Sequence, residues 1–278
     1  MSEGLDSSLS VAKTLQRVAV RMLHDPQFVT SVYSDPGTAL ADLSLGPREW
    51  SWLTRSAPEA WLTDPDRPSR VFEALRKEFP VSCALAEVAG GGRGEMLRFF
   101  ASPDFHEAVQ ERRVLVLSFG QWMIGQAKSG RLGRKPTAVL AELELACAEL
   151  RRFPWRARQS VEPSGRLALA SRVRLLSLPV GSLALLEETR KGLQDGTPLR
   201  PSRLSGRGSE WVLVELQGQQ GALQLGGLPA ELAELLLAAG TGTRRAELLQ
   251  RAVALGASTE EAPEIVESMV ADGLLVFV

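Results

Sequence analysis

The side chains that could act as acids, bases or nucleophiles are few and scattered along this 278-residue sequence. The two histidines, His24 and His106, are followed by Asp25 and Glu107, a pairing that a general base and its orienting carboxylate would need. Neither pair has a nucleophile or a set of metal ligands at a recognisable spacing. We interpret His24 as the end of one helix and His106 as part of the first turn of another.

Cys83 and Cys147 are the two cysteines, and each falls on the apolar face of a predicted helix. An isolated cysteine behaves most often as a small buried hydrophobic residue, so we interpret both as core positions. Two Cys and two His far apart do not supply a zinc site. No dinucleotide-binding, phosphate-binding or nucleophile-elbow motif is present either. The sequence therefore predicts no catalytic residue, metal site or cofactor in this chain, and no enzyme activity of its own.

Composition and charge exclude further classes of protein. The chain has 32 Lys plus Arg and 33 Asp plus Glu, so its net charge of −1 gives no bulk basicity for nucleic-acid binding. The uncharged stretch 114–127 is shorter than the roughly 18 residues of a membrane span. The first ten residues are polar and acidic, unlike a signal peptide. We expect a cytoplasmic protein without a membrane segment.

The elements that must position these residues differ between the two parts of the chain. Residues 1–160 combine helical spacing of apolar residues with repeated prolines. Asp25, Asp35 and Ser102 each precede a proline, which is typical of an N-cap followed by proline at the first helical position. Short helices are expected up to Arg55. Longer helices are expected near 68–78, 81–89, 103–127 and 137–152.

The pattern changes after about residue 160. A strand is expected at 172–178, a helix at 183–193, and a hairpin formed by 211–216 and 222–225 around a glycine-bearing turn. Three helices follow at 230–239, 244–255 and 259–272, and a strand at 274–278. Ser258 and Glu261 have the spacing of a capping box for the third helix.

Strand, hairpin and three helices together outline a winged helix. The predicted fold class is a mostly α N-terminal domain, residues 1–160, plus an α+β winged-helix-like C-terminal domain, residues 161–278.

Charge separates the functions that a winged helix could have. Residues 209–278 carry ten acidic and three basic residues, and the predicted recognition helix 259–272 has no Lys or Arg. Such a face would repel phosphates, so we do not expect DNA binding by this domain. Residues 126–174 instead have a net charge of +7 and include Phe153 and Trp155. This segment leaves open a DNA-binding or regulatory adaptor, an acidic protein partner, or a simple solvated surface.

The C-terminal sequence resembles the PqqD-like peptide-recognition elements used in the biosynthesis of ribosomally made, modified peptides. The resemblance covers 211–278. It rests on Leu-Pro-Ala-Glu-Leu at 228–232, Gly-Thr-Gly-Thr-Arg-Arg-Ala-Glu-Leu-Leu at 240–249, and Ile-Val-Glu-Ser-Met-Val-Ala-Asp-Gly-Leu at 265–274. This resemblance implies a domain that binds a ribosomal precursor peptide.

The helical part is similar to partner subunits of multinuclear iron-dependent oxidative peptide-modifying enzymes, as in methanobactin biosynthesis. The similarity lies in Phe-Glu-Ala-Leu-Arg-Lys-Glu-Phe-Pro-Val-Ser-Cys-Ala-Leu at 72–85 and Phe-Phe-Ala-Ser-Pro-Asp-Phe at 99–105. It implies a non-catalytic accessory subunit in a heterodimer with the iron-dependent enzyme. The iron would belong to that partner.

The peptide-recognition resemblance also implies a binding site. A peptide would add as a β-strand to the hairpin edge and pack against the last long helix. The candidate residues are Ala222, Leu223, Gln224 and Leu225 on the strand, and Ile265, Val266 and Met269 on the helix. The same apolar residues could instead form the domain core. Acidic residues on that helix would favour a peptide with Lys or Arg beside its apolar anchors.

Overall fold

The computed structural model describes residues 2–89, 92–152, 165–199, 204, 206–217 and 222–278, with side chains from residue 10 onward. The chain divides into two compact units, Met1–Ala141 and Glu142–Val278. This division falls within the helix Lys135–Arg152. The domain boundary expected between residues 160 and 161 lies outside the described residues.

The N-terminal unit is built from helices joined by short connections. These helices are α1 (Ser2–His24), α2 (Pro26–Ser34), α3 (Pro36–Ala39), α4 (Pro47–Leu53), α5 (Arg67–Arg76), α6 (Pro80–Val88), α7 (Gly92–Leu97), α8 (Pro103–Gln110), α9 (Leu115–Lys128) and the first part of α10 (Lys135–Arg152). Two 3-10 helices, Pro58–Ala60 and Arg98–Ala101, lie between them.

The predicted proline-linked caps are confirmed. The Asp25 carboxylate accepts a hydrogen bond from the Phe28 amide at 3.0 Å, and Asp35 accepts one from Thr38 at 3.1 Å. The Ser102 hydroxyl does the same at the start of α8. Each cap satisfies an amide that has no partner within its helix, so the chain can start a new helix directly after the previous one.

The single helix predicted over 103–127 is wrong, because the structure has two. α8 ends at Gln110 and α9 begins at Leu115. Arg112 between them has φ of +53°, and the Arg113 amide bonds back to the Ala108 carbonyl at 2.8 Å. This is the geometry of a left-handed helix end, which glycine usually supplies. The sequence has no glycine or proline there to indicate the break.

Aromatic side chains form much of the core of the N-terminal unit. Phe99 makes ring contacts with Phe100, Phe105, Phe119 and Trp122 at centroid distances of 5.2 to 5.6 Å. The segments 72–85 and 99–105, which carry the resemblance to enzyme partner subunits, supply several of these buried rings. Their aromatic residues therefore stabilise the fold.

The C-terminal unit combines strands and helices. After the end of α10 it contains β1 (Arg166–Leu169), β2 (Val173–Pro179), α11 (Ser182–Gln194), β3 (Ser209–Gln217), β4 (Ala222–Leu228), α12 (Ala230–Ala239), β5 (Thr243–Arg244), α13 (Arg245–Ala254), α14 (Glu261–Ala271) and β6 (Leu275–Phe277). The predicted elements agree to within a few residues. The short strands β1 and β5 were not predicted, and the predicted hairpin turn 218–221 lies outside the described residues.

These strands form two antiparallel sheets. In the first sheet β1 lies between β5 and β6, and in the second β3 lies between β2 and β4. The helices α12, α13 and α14 pack around a core that includes Leu167 of β1 and Leu275 of β6. A mostly helical chain with two small sheets in its C-terminal half agrees with the predicted α plus α+β layout.

No helix within the described ranges is both long and apolar enough to cross a membrane.

Candidate functional site

The outer edge of β4 is the main open feature of the second sheet. β4 pairs with β3 along its whole length, from Trp211 opposite Leu228 to Gln217 opposite Ala222. Among the described residues, β4 has no partner strand on its other side. An unpaired strand edge presents backbone donors and acceptors to any extended chain that approaches it.

The sheet register shows which backbone groups are open. The Leu216 amide donates to the Arg172 carbonyl at 3.0 Å, so alternate residues of β3 direct their backbone groups toward β2. The remaining residues of β3 bond to β4. By the same alternation, Leu223, Leu225 and Gly227 direct their N–H and C=O groups away from β3. These three residues form the free edge.

A cleft of about 490 Å³ lies beside this edge, between β4 and α11. Residues 222–227 of β4 line one side, and Gln217 of β3 lines the hairpin end. The helix contributes Leu183, Leu186, Glu187 and Arg190. The cleft therefore combines an open strand edge with a wall of mixed apolar and charged side chains.

The position of α11 follows from contacts at its start. The Leu183 amide donates to the Glu210 carboxylate at 3.0 Å, which anchors the first turn of α11 to β3. A Cβ added to Gly227 would lie 3.8 Å from Leu183 Cδ1, so α11 lies over the face of β4 that includes position 227. Val212 is the cross-strand neighbour of Gly227 and is fully buried. Directly opposite neighbours of an antiparallel pair lie on the same face, so Val212 and Gly227 share the face that α11 covers.

A hydrogen-bonded chain holds the hairpin end of the cleft. The Gln217 side-chain amide donates to the Glu215 carboxylate at 3.1 Å, and Glu215, only 8% exposed, pairs with Arg172 at 3.2 Å. Arg172 also donates to the Asp272 and Gly273 carbonyls at 2.8 and 3.3 Å. A buried carboxylate needs such partners, and here they connect the second sheet to the end of α14.

The structure separates the two predicted halves of the peptide site. Ala222, Leu223, Gln224 and Leu225 all line the cleft. On α14, Val266 is 0% exposed and Met269 is 5% exposed in the core of the C-terminal unit, and Ile265 packs against that core. The helix that lines the cleft with β4 is α11.

The α11 residues of the cleft are functional candidates that the sequence did not indicate. The helix itself was predicted, and its Leu183 and Leu186 have the three-residue spacing of a helix face. The sequence contains no signal that this face lies beside β4, because packing between distant elements leaves no local pattern.

Two of the acidic residues expected to attract a basic peptide have partners within the chain. Ser258 and Glu261 form the predicted capping box, with bonds of 2.9 and 3.1 Å. These bonds hold the pKa of Glu261 below its usual range. Glu267 on the same helix pairs with Arg245. Arg245 therefore neutralises one of these charges, whereas Glu261 stays ionised and is engaged in the cap.

The histidines and cysteines singled out in the sequence lie at a helix end or in the core. His24 ends α1, and its Nδ1 lies 3.2 Å from the Val20 carbonyl oxygen. Cys83 and Cys147 are both buried, as predicted, and burial raises the pKa of the Cys147 thiol to about 11. Within the described part of the chain, no three His, Cys, Asp or Glu side chains are grouped so that they could hold a metal ion.

Part of the predicted basic segment lies outside the described residues, including Phe153 and Trp155. No protein-family model matches the chain, and no curated protein shows significant similarity to it. The geometry of the cleft and the free edge of β4 are therefore the main guides to function.

Proposed function

We propose that this chain is a peptide-binding protein that captures an extended segment by β-strand addition to β4. The observation that carries the proposal is the free edge formed by Leu223, Leu225 and Gly227 beside the cleft lined by α11. Main-chain hydrogen bonds to this edge would supply affinity, and the α11 side of the cleft would select the side chains. The bound segment would become the fourth strand of the second sheet.

The opposite edge of this sheet supports the choice of β4. On β2, the Arg174 guanidinium donates to the carbonyls of Ser171 and Val173 at 3.4 and 3.0 Å. β2 also ends at Pro179, which has no amide hydrogen to donate. Both features are typical of an edge protected against pairing with another chain. Within the described residues, no side chain or proline protects β4 in this way at Leu223, Leu225 or Gly227.

A pair of substitutions at Gly227 tests strand addition directly. Gly227→Pro removes an outward amide donor while leaving the bonds between β3 and β4 in place. Gly227→Ala keeps that donor, and its Cβ would make an ordinary 3.8 Å contact with Leu183. A random library of linear 12-residue peptides would be selected on the wild-type protein, and the enriched peptides measured by fluorescence anisotropy. We expect the proline variant to bind roughly tenfold more weakly and the alanine variant to bind normally.

Backbone methylation of an enriched peptide provides a second test that leaves the protein unchanged. Because alternate residues of an added strand face β4, methylating every second peptide nitrogen should abolish binding in one register and spare it in the other. Equal effects of both methylation patterns, or equal affinity of the two Gly227 variants, would contradict strand addition. A library with no enriched sequences would contradict peptide binding altogether.

We further propose that the chain acts as an accessory subunit, presenting a ribosomal precursor peptide to an iron-dependent oxidative enzyme in a heterodimer. Support comes from the resemblances at 72–85, 99–105 and 211–278. The order α12, β5, α13, α14 and β6 also agrees with a winged-helix-like recognition element. The test is to search the neighbouring genes for an iron-dependent oxidative enzyme and to co-express that enzyme with this chain. We expect one complex on gel filtration, with iron in the complex and none in this chain alone; separate elution, or stoichiometric iron in the isolated chain, would contradict the role.

A further inference from the structure

Two charged side chains of the cleft have no partner within the described protein. Glu187 and Arg190 are exposed, line the cleft from α11, and make no ion pair with the described side chains. Other arginines of the C-terminal unit do pair with carboxylates: Arg172 with Glu215, Arg174 with Glu149, Arg245 with Glu267, and Arg251 with Glu234. Glu187 and Arg190 are therefore available to charges on a bound molecule.

One turn of α11 spans a distance similar to the two-residue repeat of a β-strand. Three to four residues of a helix rise about 4.5 to 6 Å, and two residues of a strand rise about 6.7 Å. The long side chains of Glu187 and Arg190, three residues apart, can therefore reach alternate side chains on one face of a strand that runs beside α11. Leu183 lies near Gly227, at the end of the cleft away from the hairpin turn. Arg190 also lines the cleft and is about 10 Å further along the helix axis, so we infer that it faces the end lined by Gln217.

On the basis of the proposed strand addition, we propose that Glu187 and Arg190 set the register and direction of the bound peptide. An acidic peptide side chain pairs with Arg190, and a basic side chain two residues away pairs with Glu187. The next side chain on that face meets Leu183 and Leu186 and is apolar. Counted from the hairpin end of β4, the bound peptide has an acidic residue, then any residue, then a basic residue, then any residue, and then an apolar residue.

This pattern selects one register and one chain direction for the bound peptide, which main-chain hydrogen bonds alone do not select. An edge strand can pair with a peptide in several registers, because its backbone repeats every two residues. A shift of two residues would place the basic peptide side chain opposite Arg190. Repulsion between like charges makes that register unfavourable.

The test is a charge exchange on α11. The variant Glu187→Arg/Arg190→Glu keeps the net charge of the helix and reverses the two positions. The control Glu188→Lys/Lys191→Glu makes a similar exchange at exposed residues that do not line the cleft. The same 12-residue peptide library is selected on all three proteins, and enriched peptides are synthesised with both charge orders.

Charge order is defined relative to the apolar residue, because an added strand can run in either direction along β4. We expect wild type and control to enrich peptides whose basic residue lies between the acidic and the apolar residue, and the exchanged variant to enrich peptides whose acidic residue lies between them. Reversing the peptide charges should weaken wild-type binding roughly tenfold in low salt and less in 0.5 M salt. Peptides that depend on the Gly227 amide but show no charge order, or the same order on the exchanged variant, would overturn this assignment and leave strand addition intact. Failure of every peptide to enrich would overturn both.

Discussion

His106 lies on α8 with only 5% of its surface exposed, beside the Phe105 ring at a centroid distance of 5.4 Å. Neither ring nitrogen has a hydrogen-bond partner in the described structure. Burial, together with the nearby charges of Arg21 and Arg17, lowers the pKa of this imidazole from 6.5 to about 4. The neutral ring is the form compatible with the fold, because a charged ring would be buried without a hydrogen-bond partner in the described structure and near the positive charges of Arg21 and Arg17.

Protonation of His106 should destabilise the N-terminal unit in acid. Its folded-state pKa lies below its unfolded-state value, so the unfolded chain binds more protons between pH 6.5 and 4, and stability falls as the pH falls through that range. The loss should reach roughly 3 kcal/mol at pH 4. Urea unfolding followed by circular dichroism at pH 7 and pH 4 measures it. His106→Phe should remove this part of the pH dependence, and an unchanged pH dependence in that variant would show that another group is responsible.

At the scale of elements, Arg172 joins the second sheet to the end of α14. Its guanidinium pairs with buried Glu215 and caps the carbonyls of Asp272 and Gly273. Gly273 has φ of +70°, and an added Cβ would lie 2.1 Å from Arg172 Nη2. The positive φ favours glycine, and the absence of a side chain leaves the space that the Arg172 guanidinium occupies.

Removing this connection should destabilise the C-terminal unit. Arg172→Ala leaves the Glu215 carboxylate buried and without its ion-pair partner, which should lower the free energy of unfolding by about 3 kcal/mol. Arg174→Ala is the matched control, because Arg174 pairs with Glu149 at 3.8 Å in a more exposed position. We expect a loss below about 1 kcal/mol there. Thermal and urea unfolding of both variants compare the two; equal losses would mean that the Arg172 contacts carry no special stability.

Local signals in the sequence were enough to predict most elements. Proline after Asp25 and Asp35 marked helix starts, and the Ser258 and Glu261 pair marked another. The break at Arg112 was missed because a non-glycine residue adopts a left-handed conformation there. Strands as short as β5 carry too few residues to show a periodicity. The strand half of the candidate site was predicted, whereas the α11 half depends on packing between elements, which no local pattern encodes.

At the scale of the whole molecule, charge bears on the alternative function of DNA binding. The chain has a net charge of −1, and α14, the predicted recognition helix, carries glutamates and no basic residue. Any attraction to a duplex must come from the basic segment 126–174, through nonspecific phosphate contacts. We expect weak binding to a 20-base-pair duplex at 50 mM salt, lost by about 200 mM, as measured by fluorescence anisotropy. A tight complex that survives 200 mM salt would instead favour the DNA-binding adaptor.

The central position of β1 has a consequence for dividing the protein. β1 pairs with β5 through Arg166 and Leu167, and with β6 through Leu167, Ala168 and Leu169. The segment 211–278 therefore contains both outer strands of the first sheet without the strand that joins them. A fragment of residues 206–278 should fold poorly, because it lacks β1, the strand that pairs with both β5 and β6. A synthetic peptide of residues 164–171, added in trans, should pair with β5 and β6 in place of β1 and restore cooperative unfolding. A scrambled peptide of the same composition should not.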